Sequence, residues 1–313
     1  MKIRVETDLQ KCRDLWDRFS PKKRLWDLWE VLYCFNEQGN TLHFLVLEDE
    51  RGDQPHGILP LWWDQPLEKY LFFGGEYMED IQFWFDLKHF PLVVQHLPKD
   101  TFLYDINHLE MEKILALHPQ FKDDFQHLDD HFFINLDKYS YDLQSFLATF
   151  GKKHRKNLLY DLRHVEQEGF EVRWETKLLF YDDFISYNQK RFGEESDFVH
   201  PTFIDGMRDF LKLLESRDLL QTSLVLKDGR PLAIEYAAFF NGVYYVLNGG
   251  YDFSVENLGK YLMMLHIRRA AAQKAPLIDF LCGDAGWKRL WNCESAPYYT
   301  FSTTNLSIKS PKQ

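Results

Sequence analysis

Three places in the 313-residue chain set chemistry-bearing side chains where simple solvation does not explain them. Glu235 interrupts the apolar run Leu232 to Phe240. On a strand it shares a face with Ala233 and Ala237, whose small side chains leave room beside it. Such a carboxylate suits a general base, or an ion pair with a core arginine. Next, Asn257-Leu258-Gly259-Lys260 follows an apolar strand. A helix opening there offers unpaired amides and the positive end of its dipole to a phosphate. Asn257 can cap this helix, Gly259 admits a bulky anion and Lys260 adds charge, although an ordinary capped helix has the same spacing. Third, Asp284 and Lys288 stand four apart. The carboxylate could take a proton or orient a nucleophile, and the ammonium could hold a phosphate or an oxyanion. A helix cap with an i,i+4 ion pair is the alternative.

Weaker candidates surround these. The basic run Lys152 to Lys156, with Lys153 and Arg155, lies on a helix whose Leu158, Leu162 and Val165 face inward. It reads either as an anchor for a phosphate-bearing ligand or as a solvated face. Arg191 and His200 bracket a polar loop that can reach an acceptor cleft, and Tyr236 and Trp287 flank Glu235 and Lys288 as further substrate contacts.

The elements that must position these residues occur in the same order twice. In the first half, helices over Leu9 to Phe19 and Leu25 to Phe35 precede strands over Thr41 to Glu48, Gly57 to Trp63 and Lys69 to Phe73. A helix near Lys88 to Leu97 and a strand over Phe102 to Ile106 follow. In the second half, helices over His154 to Glu168 and Phe203 to Ser216 precede strands over Ser223 to Lys227, Leu232 to Phe240 and Val243 to Leu247. A helix over Leu258 to Lys274 and a strand over Leu277 to Leu281 complete it. Asp228-Gly229 and Asn241-Gly242 supply tight hairpin turns. Gly74-Gly75 and Gly249-Gly250 each end a third strand, with Asp105 and Asp279 at matching distances inside the next one. The pattern predicts a duplicated α/β unit (α+β, mixed sheets), divided into 1–137 and 138–313, the halves packed together.

Composition narrows the function. Lys plus Arg number 37 against 48 Asp plus Glu, a formal net charge of −11, which disfavours a general nucleic-acid coat. Hydrophobic residues at 45% support packed cores, but no run is long enough to span a bilayer. The N-terminus lacks the apolar stretch of a signal peptide, and the four scattered cysteines suit a reducing cytoplasm. No metal is expected, because the histidines and cysteines lack ligand spacing.

The segments Gly250-Tyr251-Asp252, Leu258-Gly259-Lys260, Asp279 to Asp284 and Trp287 to Trp291, with the opening Lys152 to Leu158, resemble the acyl-CoA-binding region of the GNAT superfamily. The likeness is closest to CelD/BcsL-type acetyltransferases, a group that resembles the Fem aminoacyl transferases with their two GNAT domains. It spans roughly residues 145 to 301 and reaches the first half through the repeat. Tyr261 departs from it, standing where the usual turn has a second small residue. The resemblance implies transfer of an acyl group from acyl-CoA to an amine of a small or sugar-linked acceptor. Leu247, Asn248, Gly249, Asn257, Leu258, Gly259 and Lys260 would then hold the donor. Asp284, Lys288 and Glu235 would be the catalytic candidates, with Lys153, Arg155, Arg191, His200, Tyr236 and Trp287 toward the acceptor. A Fem-like reaction using aminoacyl-tRNA, or a degenerate binding module, are the alternatives. The acidic Glu76, Glu79 and Asp80 imply a first domain without its own donor site.

Overall fold

The computed structural model describes residues 1–36, 40–52, 54–283 and 286–303. The chain divides into two compact units, Met1–His131 with Ala296–Gln313, and Phe132–Ser295. This differs from a contiguous division at residue 137, because the chain returns to the first unit after residue 295.

In the first unit, β1 (Lys2–Glu6), β2 (Thr41–Glu48), β3 (Pro55–Asp64) and β4 (Lys69–Phe72) form an antiparallel sheet in that order. Helix α1 (Leu9–Phe19) begins where the Asp8 side chain accepts from Lys11 N, and it buries Cys12, Leu15 and Trp16. The expected second helix is a 3₁₀ turn over Leu25–Asp27 followed by α2 (Trp29–Tyr33). Trp16 packs edge-on to Trp84 at 4.4 Å between ring centroids, and Trp29 stacks on Phe73 at 4.4 Å. Short α3 (Phe90–Gln95) carries its proline in the first turn, where a missing N–H costs nothing. Then come β5 (Phe102–Asn107), α4 (His108–Leu117) and β6 (Phe125–Asn135). Asp80 belongs to the scaffold: its carboxylate pairs with Arg24 at 2.6 Å and accepts from Asn107 Nδ2 at 2.5 Å.

The second unit continues with α5 (Leu143–Ala148), α6 (Lys152–Gln167), β7 (Glu171–Glu175), α7 (Tyr181–Phe192) and α8 (Pro201–Ser216). Strands β8 (Leu220–Lys227), β9 (Arg230–Phe240) and β10 (Val243–Tyr251) follow, then α9 (Leu258–Ala272), β11 (Leu277–Cys282) and α10 (Trp287–Leu290), and β12 (Glu294–Ser302) carries the chain back into the first unit. From β7 to β10 the pairing is antiparallel, and β10 pairs with β11 in parallel after the α9 crossover. Both hairpin signals are met by positive φ at Asp228 and Gly229 (52°, 77°) and at Asn241 and Gly242 (48°, 83°).

Gly249 and Gly250 lie inside β10, opposite Glu235 and Ile234, and do not end the strand. Alternation sends them to opposite faces. A Cβ on Gly250 would lie 2.7 Å from Phe184 O and 3.0 Å from Tyr187 Cβ, so α7 packs directly on that face. A Cβ on Gly249 would meet the Glu235 side chain instead. On the Gly249 face lies α9, with Leu258, Leu262, Met263, Met264 and Ile267 in the core together with Leu158, Leu162 and Val165 of α6. Tyr261 is buried in this core, which explains a large residue where the resemblance calls for a small one. Among the described residues, no helix is long and apolar enough to cross a membrane, and no group of three or more His, Cys, Asp or Glu side chains converges as a metal site.

Candidate active site

A cavity of about 640 Å³ opens in the second unit between β10, α9 and α10. Its cause is a local break in the sheet. β10 pairs with β11 at Val243↔Leu277, Tyr244↔Ile278 and Tyr245↔Asp279. On its other side a bulge falls between Val246 and Asn248, where Val246 is opposite Ala237 but Asn248 is opposite Tyr236. The additional residue, Leu247, bends the strand and redirects its side chains. Val246, Leu247, Asn248 and Gly249 all line the cavity, as does Phe280 of β11.

The opposite wall is the first half of α9. Gly259, Met263 and His266, spaced i, i+4, i+7, form one stripe along the helix and all line the cavity. Asn257, Leu258 and Lys260 line its mouth. Asn257 does not cap the helix: it takes the left-handed conformation (φ 61°), and its side-chain oxygen accepts from Lys260 Nζ at 2.9 Å. The opening turn of α9 therefore carries no side-chain cap among the described residues. Lys260 is also ion-paired with Asp161 of α6 at 2.6 Å. An anion reaching this turn would meet main-chain amides and the helix dipole, since the Lys260 ammonium is already paired. Tyr251 limits the approach, because a Cβ on Gly259 would lie 2.6 Å from its hydroxyl. Burial pushes the Tyr251 phenol up, against the opposing influence of Arg191.

At the inner end Glu235 of β9 points toward α9. Trp174, Ser223, Glu235 and Gly249 lie in register across β7, β8, β9 and β10 and so share this face. Glu235 Oε2 pairs with His266 Nε2, and Tyr244 Oη lies 3.0 Å from His266 Nδ1. The imidazole is buried (2% exposed) and the carboxylate only partly so (15%). Burial pushes the Tyr244 phenol far up, so Tyr244 keeps its proton. In the tautomer with the hydrogen on Nε2, His266 accepts from Tyr244 at Nδ1 and donates to Glu235. The carboxylate is oriented by a chain of two hydrogen bonds that ends in the core.

Several expected site residues lie elsewhere. Lys288 is buried and donates to the carbonyls of Phe280 (2.8 Å), Leu281 (3.1 Å) and Cys282 (2.8 Å), closing the turn after β11; it does not line the cavity. Tyr236 is fully buried on the α7 face, donating to Leu179 O at 2.7 Å, because a neighbour of Glu235 on a strand must face the other way. Lys153 and Arg155 of α6 do not reach the cavity, whereas His154 between them does. His200 is an exposed residue preceding α8 and is not part of the lining. Arg191 and Trp287 are part of it. Asp284 lies outside the described residues.

Residues 152–289 match the family described as Acetyltransferase (GNAT) domain. The match covers less than half of the chain and marks this segment as similar to that domain. The whole chain is also similar in fold to solved structures. FemX aligns with a TM-score of 0.60 at 10% identity, covering 96% of this chain and 97% of that one. L-PGS from Bacillus licheniformis aligns at 0.59 and 13% identity, covering 97% and 94%. A tandem GNAT protein from the clavulanic acid biosynthesis pathway aligns at 0.55 and 10% identity, covering 96% and 97%. These show that the chain shares the fold of those structures along nearly its whole length. No curated protein matches the chain.

Among the cavity residues and those that orient them, sequence reasoning missed His266, Tyr244 and His154. A signal for His266 was available: it falls seven residues after Gly259 on a helix with a buried apolar surround, so the anion-binding turn and a polar core residue had to share one face. Tyr244 carried no signal, since a tyrosine in an apolar strand is ordinary core.

Proposed function

We propose that the chain is an N-acyltransferase that moves an acyl group from acyl-CoA to the amine of a small or sugar-linked acceptor, with the GNAT domain as its catalytic part. The observation that carries this reading is the convergence of three features on one cavity. They are the uncapped start of α9, the bulge of β10 and a partly buried carboxylate held by His266. The amides opening α9 suit the donor's pyrophosphate, with the Tyr251 hydroxyl packed against Gly259 at one side of the turn. Main-chain groups freed where β10 leaves β11 suit the pantetheine arm and the thioester carbonyl, and a bulge N–H directed at that oxygen would stabilise the oxyanion.

Glu235 takes the proton of the attacking amine, directly or through one water, while His266 fixes the carboxylate. The C–N bond forms, the C–S bond breaks, and the departing CoA thiolate takes up a proton. Lys288 is removed from this scheme because its ammonium is satisfied by three carbonyls.

The test is calorimetry and thermal unfolding with acetyl-CoA, on the full chain and on Gly259→Trp, alongside turnover of Glu235→Gln. At a ligand concentration one hundred times Kd, binding stabilises by about 2.7 kcal/mol, a rise of several degrees in Tm. Gly259→Trp should abolish the rise. Glu235→Gln should keep it and lose roughly 10²–10⁴ in rate. Absence of any acetyl-CoA binding would refute the reading, and saturable binding of aminoacyl-tRNA in its place would move the assignment to the Fem-like reaction.

A further inference from the structure

Arg191 brings an unneutralised cation to the mouth of the cavity. It stands on the last turn of α7, is exposed, and lines the cavity with Phe192, Tyr251 and Phe253. No carboxylate among the described residues pairs with it, whereas Lys260 at the start of α9 is held by Asp161 at 2.6 Å. Its guanidinium lies 4.7 Å from the ring centre of Phe192, 5.3 Å from Phe253 and 5.8 Å from Tyr251. Aromatic contacts orient a guanidinium without neutralising it. Its donors remain available to a phosphate in a forked geometry that a lysine cannot reproduce.

Tyr251 decides which anion this is. It lies two residues beyond Gly249 on β10, so alternation puts its ring on the Gly249 face, where it packs against the core that contains α9. A Cβ on Gly259 would lie 2.6 Å from the Tyr251 hydroxyl, so the phenol end of the ring rests on the opening turn of α9. The Arg191 guanidinium stands off the same ring. Although α7 packs on the Gly250 face, the Arg191 side chain thus reaches round to the Gly249 face, and a single tyrosine separates it from the amides that open α9. Phe253 extends the platform, its ring centre 4.3 Å from that of Tyr251, and Phe192 and Phe253 are 42% and 48% exposed. An anion confined to the helix turn would not use this charge or these open aromatic faces. A ligand that continues from that turn past Tyr251 would use both.

We infer that Arg191 is a donor contact, in place of the acceptor contact expected from sequence, and that with Phe192 and Phe253 it holds the nucleotide end of the donor. The guanidinium takes a phosphate beyond the one at the α9 turn, and the aromatic faces take the base, whose flat surface stacks on such rings. This rests on the acyltransferase reading above and adds a donor class to it: a free nucleotide thioester, as opposed to an acyl group on the phosphopantetheine of a carrier protein, which has no nucleotide to offer this collar.

The experiment compares donors that share the pantetheine arm and differ in the nucleotide. Acetyl-CoA, S-acetyl-phosphopantetheine and adenosine 3′,5′-bisphosphate are titrated calorimetrically on wild type, Arg191→Met, Arg191→Lys and Phe253→Leu. Arg191 and Phe253 are exposed, so the variants should keep the wild-type Tm. Wild type should bind acetyl-CoA roughly ten- to a hundredfold more tightly than S-acetyl-phosphopantetheine. Arg191→Met should lose most of that preference, Arg191→Lys and Phe253→Leu part of it, and all should keep the Kd for S-acetyl-phosphopantetheine. Equal wild-type affinity for the two thioesters would overturn the inference. So would an Arg191→Met variant that keeps the Kd for acetyl-CoA and raises the KM of the amine, since Arg191 would then belong to the acceptor. If acetyl-CoA binds and reacts but Arg191→Met changes nothing, the inference falls and the acyltransferase reading stands. If no transfer occurs but adenosine 3′,5′-bisphosphate binds wild type and not Arg191→Met, the nucleotide subsite stands and the acyltransferase reading falls.

Discussion

Gly249→Ala tests whether one missing methyl group keeps the base in place. A Cβ at this position would lie 2.6 Å from Glu235 Oε1, 2.8 Å from Cγ and 3.0 Å from Cδ. Carbon contacts are favourable only near ~3.5–4.0 Å, so the Glu235 side chain must swing away. The backbone offers no other reason for glycine, because Gly249 is not among the residues with positive φ. Swinging Glu235 withdraws its carboxylate from His266 Nε2 and leaves a buried imidazole with one partner fewer. Overpacking costs about 1–3 kcal/mol, and orphaning a buried donor a further ~1–3 kcal/mol. Together these predict a loss of roughly 2–6 kcal/mol in urea denaturation. In a Glu235→Ala background the clash has no object, so the same substitution should cost almost nothing, giving a coupling as large as the single-variant loss, about 2–6 kcal/mol. Turnover in the acetyl-CoA assay should fall in both single variants by roughly 10²–10⁴. Strict additivity, or a Gly249→Ala enzyme of full activity, would refute the assignment of Glu235 as the oriented base.

Two further outcomes follow from buried groups. Lys288→Met should destabilise the fold by roughly 2–4 kcal/mol, since charged hydrogen bonds to three carbonyls are lost in a buried site; the Kd for acetyl-CoA measured on the folded fraction should not change, and a selective loss of binding would restore Lys288 to the site. Burial pushes the thiols of Cys12 and Cys293 up to about 12 from an ordinary 9.0. The folded chain thus holds these protons above the pH at which the unfolded chain releases them. Their stabilising contribution is complete below pH 9.0 and is lost as the pH rises toward 12. Urea midpoints should fall across that window, less steeply for Cys293→Ser, and an identical slope in that variant would refute the assignment.

The order of strands in the second unit was readable because its turns are local chemistry. Asp228-Gly229 and Asn241-Gly242 can adopt the positive φ that tight hairpins need, and each sits where sequence placed it. The cavity mouth was readable for a similar reason, since Asn257 to Lys260 open the helix that follows an apolar strand. What was not readable depends on partners distant in sequence. Lys288 looked free as one member of an i,i+4 pair, but its acceptors are carbonyls at a turn whose shape only the folded strand defines. The bulge at Leu247 adds no residue of recognisable type. The chain's return to the first unit after residue 295 likewise reflects long-range pairing, Tyr298 with Asn107 and Tyr299 with Ile106, which no local pattern announces.

The choice of partner for Glu235 bears most directly on chemistry. Sequence allowed either a catalytic carboxylate or one neutralised by a core arginine, and an arginine was within reach. Arg269 stands three residues beyond His266 on the same face of α9. It is diverted: its guanidinium donates to Gln221 Oε1 at 2.8 and 3.0 Å and stacks over Trp174 at 5.0 Å. Glu235 is left with His266, whose other nitrogen is occupied by the Tyr244 hydroxyl. An arginine would have cancelled the carboxylate's charge permanently, because a guanidinium does not give up its proton. An imidazole, unlike a guanidinium, orients the carboxylate without permanently cancelling its charge. That charge attracts a protonated amine and has room for the proton the amine must lose. The diversion of Arg269 to Gln221 is therefore as much a requirement of the proposed reaction as the carboxylate itself.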